Sequence, residues 1–69
     1  MRIFAERLKE LRLEKHLSHA KLAKELSFIV TKSAIGHWEN GIRTPSLEAA
    51  AAVAKYFGVS LDYLAGLED

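Results

Sequence analysis

One short stretch, residues 31–41, constrains this chain more than any other, because as a helix it has two sides that cannot share one environment. At about 100° per residue, Ala34, Ile35 and Trp38 fall together, and Lys32, Ser33, Gly36 and His37 fall nearly opposite. The first group asks for a core; the second is small, polar or basic and has no packing reason to be there. Thr31 can cap the start, since its side-chain oxygen can accept from an orphan amide of the first turn. Asn40 and Gly41 can end the helix, because both tolerate the left-handed conformation found just past helix ends. The chain must therefore build a cradle for one edge of this helix and leave the other edge open.

The rest of the sequence supplies helices for that cradle. Phe4, Leu8 and Leu11 repeat at four and three, the stripe of an amphipathic helix over residues 3–15. Ser18 caps a second helix, residues 18–27, carrying Leu22, Ala23 and Leu26. The helix over residues 32–39 is followed by a turn through Arg43 and Pro45. A run of good helix formers follows from Ser46, and its expected buried side is Leu47, Ala50, Ala51, Ala54 and Phe57. Gly58 ends it, and Ser60 caps a last helix over residues 61–65, stopped by Gly66. No sustained alternation argues for a strand. Five helices with short connections predict an all-α fold, a compact five-helix bundle forming one domain over residues 1–69.

Charge suggests what the open edge meets. Residues 1–43 hold nine of the ten Lys/Arg and five acids, whereas residues 44–69 hold Lys55 against Glu48, Asp62, Glu68 and Asp69. A basic front and an acidic back favour a polyanionic partner at the front. With no cysteine, disulfides and thiolate metal sites are excluded. His16, His19 and His37 do not form a metal-ligand spacing, so no metal or other cofactor is expected. No Ser/His/Asp arrangement or carboxylate pair stands out, so the chain does not read as an enzyme. No apolar run approaches a membrane span or a signal-peptide core, which predicts a cytoplasmic protein.

Two short helices joined by a turn, the second with a free polar face, describe a helix-turn-helix. The major groove of B-form DNA admits one helix, and donors on its exposed face reach base edges. The order of motifs also resembles the phage-repressor (Cro/CI-like, XRE) helix-turn-helix domains across almost the whole chain. The segments that carry the likeness are Arg7-Leu8-Lys9-Glu10-Leu11-Arg12, then Leu17-Ser18 with Leu22-Ala23. Trp38-Glu39-Asn40-Gly41 and Thr44-Pro45-Ser46 follow, and Phe57-Gly58-Val59-Ser60-Leu61-Asp62-Tyr63-Leu64 closes the series.

The resemblance implies a transcriptional regulator, most simply a repressor, that binds a palindromic double-stranded operator as a homodimer through the major groove. Lys32, Ser33, Gly36 and His37 become candidate base contacts. Ser18, His19, Thr31, Asn40 and Arg43 become candidate phosphate contacts, and Arg12 and Glu39 a structural ion pair joining helix one to the end of helix three. This chain departs from the family in two ways. The interval from Leu26 to Trp38 is two residues longer than usual, with the surplus in residues 27–30 and either Phe28 or Val30 tucked into the core. His19 replaces the family's Gln and keeps a donor, and histidine ordinarily gains charge below about pH 6.5. The chain ends just after the last helix, and reads as a complete small regulator or as the N-terminal part of a longer one.

Residue by residue, rival readings stand beside these. Lys32 opposes the helix dipole, which asks for a reason beyond solvation. Gly36 costs about 1 kcal/mol against alanine in a helix interior, explained by close approach to a groove or to another helix. Ser33 is common at helix starts, and His37 can be an idle surface residue. Trp38 can stack on a base, although its place opposite the polar face favours the core. A protein-protein interaction module on the same fold is the alternative function, and it would need no lysine on helix three.

Overall fold

In a computed structural model, which describes residues 2–27 and 29–68, the chain forms five α-helices in the expected order. These are α1 (Arg2–Glu14), α2 (His19–Glu25), α3 (Lys32–Glu39), α4 (Leu47–Phe57) and α5 (Leu61–Ala65). Among the described residues there is no strand. No helix is long and apolar enough to cross a membrane.

Four of the five helix starts are fixed by one device. Ser18, Thr31, Ser46 and Ser60 each sit in extended backbone at an N-cap, and each side-chain oxygen accepts from the amide three residues on, at 2.9–3.1 Å. Each such cap is worth about 1 kcal/mol, a substantial share of the stability of so small a domain. Ser18 is thus the cap of α2 and not its first residue, and Leu26 is its C-cap, so α2 is a little shorter than residues 18–27.

The core runs through the bundle centre. Phe4, Leu8, Leu22, Ile35, Val53 and Leu64 are almost fully buried, one or two from every helix. Trp38 is only 5% exposed and meets Phe4 edge-to-face with centroids 6.0 Å apart, which places it in the core rather than on a stacking surface. Leu11 packs at the margin, while Val30 from the α2–α3 turn is buried. Phe28, the other candidate for tucking in, lies outside the described residues.

One expectation is corrected in α4. Its buried residues are Ala49, Val53 and Ala54, with Ala50 and Phe57 partly covered, whereas Leu47 is 76% exposed and Ala51 is also exposed. A helix made mostly of alanine carries little directional signal. Leu47 misled because it stands at the first helical position, where it borders the shallow apolar cleft lined by Phe4, Leu61 and Leu64. The C-terminal helix closes against α1: Arg7 lies over the Tyr63 ring at 4.3 Å and donates to the carbonyls of Tyr63 and Glu68. Gly66 has φ +83°, and a Cβ there would come within 2.9 Å of the Ile3 side chain, so only glycine fits.

Ile35 is the buried peg of α3, with no exposed surface. Ile35→Ala is expected to destabilise the fold by about 2–5 kcal/mol, read by urea denaturation followed by circular dichroism. A loss below about 1 kcal/mol would mean that the core does not hold α3 through this residue.

Candidate nucleic-acid interface

The outer edge of α3 is built by default from what its inner edge buries. With Ile35 and Trp38 in the core, Lys32 and Ser33 are exposed, and Gly36 and His37 are half-buried. His37 is thus less open than the helical projection alone suggests, because its neighbours on α3 and the following turn rise beside it. Its carbonyl accepts from the amides of Ile42 (2.9 Å) and Arg43 (3.4 Å), which folds residues 40–43 back on the helix end. That turn leaves Asn40 and Arg43 exposed just beyond α3.

Ser18 and Thr31 serve as caps, and both are exposed. Capping uses a lone pair of each hydroxyl and leaves its hydrogen free to donate, so a second contact to an anion is chemically open to both. Lys32, Asn40 and Arg43 add donors with no acceptor competition from neighbouring carboxylates among the described ion pairs. The arrangement can donate many hydrogen bonds and offers no carboxylate on its outer edge.

Behind this surface lies a buried polar node. Glu39, the last residue of α3, has a side chain only 4% exposed. Arg12 of α1 grips it with two prongs, Nε to Oε2 at 2.7 Å and Nη2 to Oε1 at 3.0 Å. The remaining prong, Nη1, donates to the Leu17 carbonyl at 2.7 Å. Burial pushes the Glu39 carboxyl upward, but hydrogen bonds from Arg12 and His19 and the Arg12 charge outweigh it, holding the group below its ordinary value of 4.5. The Glu39 hydrogen bond raises Arg12 further above its usual range, against a smaller opposing effect of burial.

The node has a third member that the linear sequence did not reveal. His19 Nε2 lies 3.2 Å from Glu39 Oε1, and the His19 ring lies beside Gly36, 3.7 Å from where a Cβ would stand. Only the separate family positions of His19 and Glu39 are readable in the sequence; that they touch across 20 residues is a tertiary fact. Gly36 therefore faces α2 as well as the open side, and at 3.7 Å an added methyl would make an ordinary contact with the ring. Among the described residues, no three His, Asp or Glu side chains come together as a metal site.

The comparisons with known proteins fit this architecture. The helix-turn-helix family profile matches residues 8–64, from the middle of α1 to the end of α5. The chain is 36% identical over 66 residues to the HTH-type transcriptional activator BcrR of Enterococcus faecalis, covering 96% of this chain and 31% of that protein. It is 31% identical over 67 residues to YobD of Bacillus subtilis, an uncharacterized HTH-type transcriptional regulator, covering 97% of this chain and 58% of the relative. The chain thus spans less than two thirds of the length of these curated relatives. No solved structure matches. The chain belongs to the helix-turn-helix family of the phage-repressor (Cro/CI-like, XRE) type.

The node predicts acid sensitivity. A carboxyl held below its unfolded value contributes stability that is complete above 4.5 and disappears as pH falls through the folded value. Glu39→Gln should lower the melting temperature near neutral pH by leaving Arg12 half-partnered. The gap to wild type should narrow as pH drops below about 4.5, measured by thermal melts from neutral pH into acid. A gap that stays constant would mean the pair contributes through shape rather than charge.

Proposed function

We propose that this protein is a sequence-specific, double-stranded-DNA-binding transcriptional regulator whose α3 lies in the major groove. The observation that carries the reading is the division of α3: Ile35 and Trp38 anchor one edge, and Lys32, Ser33, Gly36 and His37 line the other without a single apolar side chain. A groove about 12 Å wide accepts a helix of this girth. Lys32 and His37 can donate to guanine O6 and N7, Ser33 to either purine or pyrimidine edges, and Gly36 lets the backbone approach closely. Ser18, His19, Thr31, Asn40 and Arg43 then hold the phosphates on either side of the reading helix, fixing register without reading sequence.

A single helix reads only a few base pairs, so a homodimer on a palindromic operator, with half-sites about one helical turn apart, supplies the rest of the specificity. The simplest output is repression by covering a promoter. The relative named as an activator belongs to the same family, and the DNA-reading surface by itself sets the place of action rather than its sign. A cytoplasmic setting and a mechanism without catalysis or cofactor belong to the same reading.

A protein-protein interaction module is the second reading. What favours it is a pair of exposed isoleucines on the connections flanking α3, Ile29 (57%) and Ile42 (66%). The lysine and histidine on α3 favour DNA, since a protein-docking helix usually presents apolar anchors.

Selection of bound duplexes from a random pool tests the proposal and yields the site and half-site spacing together; enrichment of no sequence would refute it. On the selected duplex, Lys32→Ala and His37→Ala are expected to cost about 1–3 kcal/mol, with a smaller loss on random DNA. Equal losses on both would assign these residues to the backbone. Arg43→Ala should instead weaken all duplexes alike and lower the slope of log K against log salt by about one. An unchanged slope would remove Arg43 from the phosphate contacts.

A further inference from the structure

The geometry of His19 creates a proton requirement. Glu39 is ionised and can only accept, so the His19 nitrogen facing it, Nε2, must carry the hydrogen of their 3.2 Å bond. In a neutral ring the second nitrogen, Nδ1, is then a bare acceptor. Nδ1 and Cε1 form the ring edge nearest Gly36, 3.7 Å from its Cβ position, on the helix that carries the open edge. The ring is half-buried, with 40% of its side chain exposed, which leaves part of it open to a ligand. A phosphate oxygen arriving there meets a lone pair unless the ring gains a second proton.

We propose that His19 binds DNA as an imidazolium bridge, with Nε2–H on Glu39 and Nδ1–H on a phosphate oxygen, so that complex formation takes up a proton from solvent. The inference rests on the DNA-binding reading above and adds its chemistry. Both bonds are charge-assisted in this state, which makes them shorter and stronger than neutral ones. A glutamine amide at this position would donate without any proton uptake, so the substitution by histidine converts a fixed donor into a conditional one.

The surrounding charges act in both directions. Glu39 of α3 favours the cation directly. Arg12 of α1 shares that carboxylate and opposes it. Lys32, one turn before Gly36 on α3, opposes it too. On α2 itself, the positions three and four residues on are Leu22 and Ala23, both buried and uncharged, while Lys15 and His16 lie in the preceding turn. An arriving phosphate adds a second negative charge beside the ring and favours its charged form.

The test is a titration of a mixed-sequence duplex at low salt by fluorescence anisotropy, from about pH 8 to about pH 5.5. Wild type is expected to bind about three- to tenfold tighter at the acid end. His19→Gln should show a flat profile whatever its affinity at the alkaline end. The double variant His16→Gln/His37→Gln should keep the acid gain whatever its absolute affinity, which separates His19 from a general rise in positive charge. Thermal melts at each pH confirm that every variant is folded. A flat wild-type profile, or a gain that survives in His19→Gln, would overturn the bridge while leaving the DNA reading intact. Wild type that binds no duplex at any pH would overturn that reading and the bridge with it.

Discussion

The carboxylate of Glu39 is the point at which three helices are tied. It sits at the end of α3, receives both nitrogens of a fork from α1 and one ring nitrogen from α2, and has almost no contact with solvent. A buried charge without partners is costly, so this group stabilises the fold only when all three helices hold their places. No buried side-chain nitrogen or oxygen among the described residues lacks a hydrogen-bond partner, so the node is complete as it stands. Its effect is directional in a way that apolar burial is not: Arg12 reaches Glu39 with a planar fork that fixes angle as well as distance.

Apolar and polar contacts consequently divide the work of presenting α3. Ile35 and Trp38 set which edge turns inward, because rotating the helix would expose one of them and bury Lys32 or His37. They fix rotation about the helix axis, but apolar contacts carry less directional information than hydrogen bonds. The Glu39 node pins the C-terminal end, and the Thr31 cap defines the N-terminal end. A recognition surface needs all of these restraints, since an outer edge that rocks spreads its donors over several base positions.

Much of this was legible in the sequence, and the parts that were not share a cause. Ser18, Thr31 and Ser60 announced their helix starts because capping is a local contract between a side chain and an amide three residues away, and Ser46 caps α4 by the same device. At the other end of α3, Asn40 keeps φ −93° and Gly41 alone takes the left-handed conformation, at φ +73°. The burial of Leu22, Ala23, Leu26, Ile35 and Trp38 followed from periodicity against polar neighbours. Where the neighbours are all alanine, as in α4, the period has no contrast and the inward side was set instead by Val53 meeting the other helices. The Arg12–Glu39 pair came from family resemblance, and nothing local pointed to His19 as its third member. Such a contact depends on the angle between α2 and α3, which no spacing along the chain encodes.

That angle is where the longer α2–α3 turn should have done harm, and the geometry explains why it need not. The extra residues are absorbed outside the helix contact: Ser27 takes φ 57°, its amide bonds to the Lys24 carbonyl, and the Ile29 amide bonds to Leu26. Ile29 is left 57% exposed, while Val30 returns to the core immediately before the Thr31 cap. A turn with Ile29 released and Val30 anchored sets where α3 begins. Across the helix pair, the His19 ring lies beside Gly36 and bonds to Glu39, contacts that couple α2 to α3 without involving the turn. An added methyl at Gly36 would only meet the ring at ordinary contact distance, so the His19 contact by itself does not require glycine there. The same histidine that replaces an ordinary family donor is therefore also a contact between α2 and the end of α3.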